Sequence, residues 1–376
     1  MSVAGIIFSN LHDKNISELT HLRTIASVPF GCRYRLVDFA LSNMVNSGIQ
    51  NISIITHYNY HSLMDHVGSG KDWDLARRSG GIRVLPPFIT AYASGTNTLY
   101  NSRLEALKNA KHSISLMQEE YIVLSDCDAI CNIDLKKMID RHIDSKADIT
   151  IAVKRMKLTR EIAAKCTVVR SDESGVITDV AVNPSDYRGE HDVNINIWVI
   201  GKKYLSAVIH DSEAHNYKSF MVDIISKNIG RNKFMTYRFD DYYANVTSLA
   251  DYFYLNMEIL KKETREKVFN IAGRPILTKV RNSAPTRYGK NAVVKNSMIA
   301  DGCTIEGIIE NSVLFRGVTV GRDSIIKNSI LFQDTFIGQN VFLNCVISDK
   351  NTILRDAVML SGHNLKPYYV EKGKML

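Results

Sequence analysis

Two aspartates stand two residues apart where a predicted buried strand ends. Asp126 and Asp128 follow the apolar run Tyr121–Ser125. Carboxylate oxygens are the ligands that Mg²⁺ prefers, and a bound Mg²⁺ would assist phosphate chemistry. The same two side chains could instead cap the loop without holding any ion. The spacing alone leaves both interpretations open.

A pair of cysteines is the other candidate for metal binding. Of the six cysteines, only Cys127 and Cys131 lie close together in the sequence, and nearby histidines at ligand spacing are lacking. A zinc site is therefore not predicted. Scattered cysteines are typical of reduced thiols in the core of a cytoplasmic protein.

Composition and charge narrow the classes of partner. The chain has 376 residues, of which 45% are hydrophobic and 23% charged, as in an ordinary globular protein long enough for two domains. Its net charge of +8 is spread along the chain, with no run of Lys or Arg longer than two. This favours a basic surface that attracts phosphorylated metabolites over a nucleic-acid site. No apolar run approaches the ~20 residues of a membrane helix, and the start, MSVAGIIFSN, predicts a buried strand rather than a signal peptide.

Strand-like and helix-like stretches alternate through the first two-thirds of the chain. Short apolar runs predict strands at Val3–Phe8, Ile52–Thr56, Tyr121–Ser125, Ile149–Val153 and Asn194–Ile200. Apolar residues at helical spacing predict helices at Leu36–Asn46, Asn97–Lys111, Leu135–Ser145 and Thr247–Lys262, the last helix of this domain. The alternation predicts an α/β domain with a mostly parallel sheet and helices on both faces. A site is expected where the strands end.

The tail from about residue 293 repeats a short motif. Its copies begin at Asn296, Asn311, Asn328 and Asn344. The spacings are therefore 15, 17 and 16 residues, and two copies share a Val/Ile-Gly step, at Val320-Gly321 and Ile337-Gly338. Such periods with β-branched residues predict the stacked coils of a parallel β-helix. A β-sandwich of short strands is the alternative, but it gives no reason for the recurring Asn-Ser start.

The stretch between these two regions has a different character. Residues 263–292 contain Pro275 and Pro285 among Arg, Asn and Ser, with weak periodicity. We therefore predict an α/β domain over 1–262, a connector over 263–292 and a β-helix over 293–376.

One long segment resembles a known family. Residues 28–49, VPFGCRYRLVDFALSNMVNSGI, are similar to the corresponding segment of bacterial ADP-glucose pyrophosphorylases. These enzymes transfer an adenylyl group from ATP to glucose-1-phosphate with the help of Mg²⁺. The resemblance runs from about residue 3 to about residue 360. It implies a nucleotidyltransferase-like, Rossmann-like domain, and the likeness of the tail to hexapeptide-repeat transferases implies a left-handed β-helix.

The phosphate-binding loop of that family is altered here. In the family the loop GGxGxRLxPLTxxR precedes the shared segment, whereas residues 10–23 of this chain are NLHDKNISELTHLR. The three loop glycines fall on Asn10, Leu11 and Asp13, and the arginine falls on Asn15. Glycine lets backbone N–H groups approach a phosphate, and arginine adds a charge-assisted hydrogen bond. Their replacement opposes binding of a triphosphate in the productive position.

Other charged positions of the family are replaced as well. Two lysines that would face nucleotide and sugar phosphate fall on Ile25 and Asn183. The motif DFGKD becomes SFMVD, so its first aspartate is Ser219 and only Asp223 remains. The motif WRDVGT becomes YANVTS over Tyr243–Ser248. Packing residues are thus retained while phosphate contacts are lost.

The resemblance leaves a small set of candidate site residues. It assigns metal binding to Asp128 and Asp223. Asp126 is the alternative to Asp128 for the first of these positions. No residue is predicted to be catalytic. Asp128 and Asp223 are the positions at which catalytic carboxylates of the family would have been retained. Remnant contacts to nucleotide or substrate are expected from Arg35, Gly95, Thr96, Asn183 and Asn194. Arg33 and Arg35 both match the family, and an arginine here could instead form a structural ion pair with Asp38 at the start of a helix.

Taken as a whole, the resemblance is to the GlgD-type subunit of this family. It implies a regulatory, non-catalytic subunit in glycogen biosynthesis, located in the cytoplasm. The implied partner is a catalytic subunit, in a hetero-oligomer expected to be a tetramer, and that subunit would hold the Mg²⁺. A phosphorylated metabolite is the expected effector, and neither nucleic acid nor membrane is expected to bind. Two alternatives stay open: an active adenylyltransferase with a site rearranged around Asp126, Asp128 and Asp223, or a stand-alone protein that binds a sugar phosphate or effector.

Overall fold

Nine strands form one sheet in the computed structural model, which describes residues 2–78, 80–86 and 100–376. The strands are β1 (Val3–Phe8), β2 (Asn51–Ile55), β3 (Gly81–Leu85), β4 (Tyr121–Asp126), β5 (Ile149–Leu158), β6 (Thr167–Ser171), β7 (Ile177–Val182), β8 (Gly189–Gly201) and β9 (Phe234–Arg238). Their order is β7-β6-β8-β4-β1-β2-β3, and β5 pairs with both β8 and β9. Strands β4, β1, β2 and β3 run parallel, as do β5 and β9, whereas β8 is antiparallel to its neighbours. The predicted mostly parallel sheet is confirmed.

Helices cover both faces of this sheet. They are α1 (Ser17–Thr20), α2 (Leu36–Asn46), α3 (His61–Val67), α4 (Arg103–Asn109), α5 (Lys111–Ser115), α6 (Leu135–Ser145), α7 (Arg160–Ala163), α8 (Lys202–Ala214), α9 (Leu249–Glu258) and α10 (Lys262–Phe269). Short 3-10 helices lie at Asp13–Ile16, Ile25–Ser27 and Lys71–Trp73, and a π-helix spans Phe220–Ser226. Successive residues of β1 point to opposite faces. Ile6 packs with α4, α5 and α8, and Ile7 packs with α2, α3 and α6.

Helix α2 has the predicted bounds because its ends are marked in the sequence. At its start, the Asp38 carboxylate accepts the backbone N–H of Arg35 at 2.9 Å. At its end, Gly48 adopts a left-handed conformation (φ +83°), and its N–H donates to the Val45 carbonyl at 2.9 Å.

Two other helix predictions need correction. Residues 97–99 of the predicted helix Asn97–Lys111 lie outside the described residues, α4 occupies Arg103–Asn109, and a separate helix α5 begins at Lys111. The helix predicted at Thr247–Lys262 ends at Glu258, and α10 follows inside the predicted connector. Val268 of α10 is fully buried in the same core as α9, which explains why the chain forms another helix there.

The tail forms the predicted parallel β-helix, with three sheets of five short strands between residues 287 and 370. The first sheet contains Arg287–Tyr288, Thr304–Ile305, Thr319–Val320, Phe336–Ile337 and Ile353–Leu354. The second contains Val293–Lys295, Ile308–Glu310, Ile325–Lys327, Phe342–Asn344 and Met359–Ser361. The third contains Met298–Ile299, Val313–Leu314, Ile330–Leu331, Val346–Ser348 and Tyr368–Val370. This stack of short strands in three parallel sheets agrees with the left-handed β-helix that the resemblance of the tail implies.

The recurring Asn-Ser pair has a structural role at one corner of the coils. Asn296, Asn311 and Asn328 are left-handed, with φ between +40° and +47°, a conformation that asparagine tolerates better than most residues. The serine hydroxyls that follow link the coils, since Ser312 Oγ accepts the N–H of Ser329 at 3.1 Å. The fourth copy begins one residue later than predicted. Lys327 pairs with Asn344, so Cys345 (φ +54°) takes the corner position.

The third sheet of the β-helix packs against the α/β domain. Val313 and Phe332 share a core with Phe30, Phe39 and Tyr252. A buried ion pair crosses this interface. Arg23 Nη2 lies 2.8 Å from Asp349 Oδ1 and 2.9 Å from Oδ2, and Tyr369 also donates to this carboxylate, at 2.8 Å.

All six cysteines are free, and all but the half-buried Cys166 are buried. Within the described ranges, every helix is too short or too polar to cross a membrane.

Candidate functional site

A polar cluster lies at the carboxyl ends of β1 and β4. Phe8 pairs with Asp126 in parallel register, so the chain that leaves β1 passes over the end of β4. His12 Nε2 lies 2.9 Å from Asp126 Oδ2 and 3.6 Å from Asp128 Oδ2. Both aspartates are buried, at 2% exposure. In the described part of the chain, these three side chains form the group close enough to share a metal ion.

Arg103 closes this cluster from the first turn of α4. Its Nε donates to Asp126 Oδ1 at 3.0 Å, and its Nη2 donates to Asp126 Oδ2. The guanidinium carbon lies 5.5 Å from the centre of the Trp198 ring, within reach of a cation–π interaction. Ser102 caps α4 by accepting the N–H of Glu105 at 3.2 Å, and this cap fixes the start of the helix at Arg103. Both oxygens of Asp126 therefore already bind a cation.

The charges of the cluster act on one another. Burial alone would raise the pKa of Asp126, but Arg103 and His12 outweigh it and lower that pKa. Burial would lower the pKa of His12, but Asp128 and Asp126 outweigh it and raise that pKa. Burial raises the pKa of Asp128. Asp126 is thus the firmly ionised member, and Asp128 is the weaker acid.

These residues do not fit the Mg²⁺ that the family resemblance implies. Asp126 gives both oxygens to Arg103, and an imidazole is a poor ligand for this hard cation. Asp128 Oδ1 and Asn245 Oδ1 are buried and have no hydrogen-bond partner among the described residues. The amide is neutral, however, so this pair supplies one negative charge beside two cationic side chains. We therefore derive no reaction step through a metal at this position.

Asp223 lies apart from this cluster. Its Oδ1 is 2.8 Å from Lys227 Nζ, and its Oδ2 accepts the backbone N–H groups of Lys218 and Ser219. The hydrogen bond from Lys227 and that from Ser219 lower the pKa of Asp223 to about 2. This carboxylate anchors the start of the π-helix that contains it. We therefore do not retain Asp223 as a ligand or catalytic group beside Asp128.

A cleft of about 570 Å³ opens beside the cluster and contains two of the predicted contact residues. Asn183 and Asn194 both line it, together with His12 and Arg103. Asn194 Oδ1 accepts a hydrogen bond from Trp198 Nε1 at 2.9 Å, so its side chain is fixed. The cleft could hold a polar ligand, and the structure places Asn183 and Asn194 in its wall. Gly95 and Thr96, the other two residues assigned to nucleotide binding, lie outside the described residues.

The altered loop is folded by the residues that stand in place of glycine. Asn10 Oδ1 accepts a hydrogen bond from the Tyr100 hydroxyl at 2.8 Å. Asp13 Oδ1 accepts the backbone N–H of Ile25 at 2.7 Å, and burial raises the pKa of Asp13 to about 7. Leu11 packs against the core, and Ile25, which replaces a lysine of the family, is 1% exposed. The loop thus uses these positions for its own structure rather than for phosphate.

Arg35 belongs to a second, basic pocket between the two domains. Its Nη1 donates to the Ser62 carbonyl at 2.5 Å and to Ser62 Oγ at 2.9 Å. The predicted Arg–Asp ion pair is formed by neither Arg33 nor Arg35, since Asp38 accepts the Arg35 backbone N–H and lies 2.6 Å from His66 Nε2. The cationic residues that line this pocket are Arg33, Arg35, Lys279, Arg281, Arg316 and Lys350. Burial, then repulsion by Arg35 and Arg23, lowers the pKa of Lys350 to about 7.

Sequence reasoning missed His12, Arg103 and Lys350. His12 lies in a loop that was judged only by its missing glycines. Arg103 follows the family-like pair Gly95-Thr96 and belongs to no motif of the family that the sequence shows. His12 and Arg103 are 114 and 23 residues from the carboxylate that they bind, so the sequence shows the two cationic groups but not their pairing.

The family models match the two domains separately. The model described as "Nucleotidyl transferase" matches residues 13–262. The model described as "GlmU-like, C-terminal hexapeptide" matches residues 282–366.

Similar curated proteins carry two names. The "Glycogen biosynthesis protein GlgD" of Bacillus subtilis (strain 168) is 32% identical over 372 residues, which cover 98% of this chain and 95% of that protein. The protein of the same name from Geobacillus stearothermophilus is 34% identical over 321 residues, covering 85% and 81%. The "Glucose-1-phosphate adenylyltransferase" of Halalkalibacterium halodurans is 30% identical over 327 residues, covering 86% and 83%.

Proposed function

This chain belongs to the nucleotidyl transferase family and, within it, to the GlgD-type ADP-glucose pyrophosphorylases, and we propose that it is a regulatory subunit without turnover of its own. The observation that carries this proposal is the binding of both Asp126 oxygens by Arg103, with His12 over the same carboxylate. Adenylyl transfer brings two highly charged phosphates together, and it needs cations and backbone donors that face the phosphates. Here the cations of the site are already paired with carboxylates.

The folded loop supports the same proposal. Asp13 and Asn10 hold the loop through hydrogen bonds within the chain, at positions where the family has glycines that approach phosphate. Each lost charge-assisted contact to phosphate would weaken transition-state binding by about 2–3 kcal/mol. Several such losses together remove most of the turnover expected of an active family member.

The proposed partner is a catalytic subunit of glucose-1-phosphate adenylyltransferase. In the hetero-oligomer, expected to be a tetramer, that subunit would bind Mg²⁺ and convert ATP and glucose-1-phosphate to ADP-glucose and pyrophosphate for glycogen biosynthesis. The similarity of this chain to proteins of both names supports a common architecture for the two subunits. Its six free cysteines support a reducing compartment such as the cytoplasm.

The proposal predicts that this chain alone forms no ADP-glucose above the rate of a blank. Each subunit is purified and assayed separately and as a mixture for pyrophosphate release from ATP and glucose-1-phosphate. We expect turnover by the catalytic subunit, altered rate or regulation in the mixture, and none by this chain. Asp128→Asn in this chain should leave the rate of the mixture unchanged. Turnover by this chain alone that Asp128→Asn abolishes would contradict the proposal and favour the rearranged active site.

We also propose that a phosphorylated metabolite binds the basic pocket around Arg35 and Lys350. Six cationic side chains line this pocket, of which Arg35 is buried and Lys350 partly buried, and an anion bound there would relieve their mutual repulsion. Sulfate, which does not titrate near neutral pH, is the probe. Because the pKa of Lys350 is about 7, its ammonium form is lost as pH rises through 7, and sulfate affinity should fall between pH 6 and 8.

The variant Lys350→Met should bind sulfate more weakly than wild type at pH 6 and show a flat pH profile by calorimetry. Lys327→Met, which removes a surface lysine of the β-helix, is the matched control and should retain the wild-type profile. Equal affinity and equal pH dependence in wild type and Lys350→Met would show that the pocket is not the anion site.

A further inference from the structure

We propose that the guanidinium of Arg103 serves as a resident cation at the ends of β1 and β4, in the electrostatic role of a divalent metal, so that this chain does not bind Mg²⁺ or Mn²⁺ there. The inference goes beyond the proposed function, because it concerns the chain with no substrate or partner present. It is based on the side chains of this site, which do not offer the free oxygen ligands that the Mg²⁺ implied by the family would need.

The geometry of Arg103 carries the inference. Its two N–H groups face the two oxygens of Asp126, a bidentate arrangement that matches the planar fork of arginine. Asp126 is 2% exposed, and the Trp198 ring lies against the guanidinium. A metal ion could reach Asp126 only after Arg103 had left it. Arg103, whose side chain is 18% exposed, would then lose its buried counter-ion, and this loss opposes metal binding.

The charge count leads to the same conclusion. Asp126 and Asp128 offer at most two negative charges, and Arg103 with His12 offers at most two positive ones. A divalent cation added to this set would leave a net charge of +2 in a buried site. Without Arg103, Asp126 Oδ1 would have no side-chain partner among the described residues, as Asp128 Oδ1 already has none, and Asp126 Oδ2 would keep only His12. Ligand atoms of His12, Asp126 and Asp128 lie within 4.8 Å of one another, close enough to share one ion. Arg103 is thus the side chain that decides whether this cluster accepts a metal.

The test compares wild type with Arg103→Met, which keeps an unbranched apolar side chain against Trp198 and removes the charge. Mn²⁺ alone is titrated into each protein without nucleotide, and the free ion is measured by electron paramagnetic resonance. We expect no saturable site in wild type in the low-millimolar range and one Mn²⁺ per chain in Arg103→Met, bound at least about tenfold more tightly. In thermal unfolding, Mn²⁺ should raise the Tm of Arg103→Met and not that of wild type.

Two further variants locate the bound ion. Arg103→Met with Asp128→Asn should lose the new Mn²⁺ site. Arg322→Met removes a surface arginine that pairs with Glu306 at 3.3 Å, and it should bind Mn²⁺ no better than wild type. An Arg103→Met chain that folds by circular dichroism but gains no Mn²⁺ affinity would overturn the inference.

The wild-type titration decides the question even if Arg103→Met fails to fold. Saturable binding of one Mn²⁺ by wild type that Asp126→Asn abolishes would overturn the inference. Such a result would leave the proposed function standing, since that depends on the turnover assay of the isolated chain. Conversely, turnover by a chain that binds no Mn²⁺ would sink the proposed function and not this inference.

Discussion

Asp349→Ala is expected to lower the free energy of unfolding by about 3–5 kcal/mol, the range measured when one partner of a buried ion pair is removed. Arg23 is 3% exposed, and both oxygens of Asp349 accept hydrogen bonds from its Nη2. Without the carboxylate, the guanidinium stays buried between the two domains with no opposite charge. Urea unfolding followed by circular dichroism measures the loss, with midpoint and slope reported together because the chain has two domains.

The control for this experiment is an exposed ion pair on the same β-helix. Lys327 Nζ lies 3.1 Å from Glu310 Oε2, and Glu310→Ala should cost less than about 1 kcal/mol, since exposed pairs contribute little. Replacing both buried partners, as Arg23→Met with Asp349→Leu, should restore much of the lost stability because no charge remains uncompensated. If Asp349→Ala costs no more than Glu310→Ala, the buried pair does not hold the domains together.

The position of Arg23 explains part of what became of the phosphate-binding loop. Arg23 is the last residue of that loop, and its side chain now fastens the α/β domain to the β-helix. Earlier residues of the loop bind Tyr100, the backbone of Ile25 and Asp126. The altered loop is therefore a structural element that joins three parts of the molecule. Its rigidity is compatible with a subunit that works through its contacts rather than through turnover.

What the sequence predicted well was local in the chain. The bounds of α2 follow from Asp38, in its first turn, and from Gly48, two residues beyond its last residue. The β-helix follows from a repeat that is visible without any structure. Its one error, the start of the fourth copy, arose because asparagine stands at both Asn344 and the earlier corner positions, so a shift of one residue left no trace in the sequence.

What the sequence could not predict was where distant charges meet. Arg103 and Asp126 are 23 residues apart, and Arg23 and Asp349 are 326 residues apart. The motif SFMVD likewise shows that Asp223 is retained. It does not show that the carboxylate binds Lys227 and the backbone N–H of Ser219. The candidate site was thus predicted as a region, at the end of β4, while the pairing that sets its chemistry needed three-dimensional information.

Gly321→Ala is expected to destabilise the β-helix by about 3 kcal/mol, the upper part of the usual range for overpacking. A Cβ at this position would lie 2.4 Å from the carbonyl oxygen of Gly338 and 2.7 Å from its carbonyl carbon, which belong to the next coil. Because these are backbone atoms of a stacked strand, neither can move aside without breaking the register. The Val/Ile-Gly step of the repeat is therefore required by the close approach of successive coils. Thermal unfolding should show a lower midpoint.

The matched control is Gly201→Ala, because a Cβ at Gly201 would meet nothing within 4 Å and this residue has no left-handed conformation to lose. Gly201 precedes helix α8, so its replacement should change stability by no more than about 1 kcal/mol. Equal effects of the two substitutions would show that the coils can separate to admit a methyl group.

If Gly321→Ala is the more damaging substitution, the same variant also tests how the two subunits assemble. Loss of co-purification with the catalytic subunit, while the α/β domain stays folded, would mean that the subunits associate through an intact β-helix.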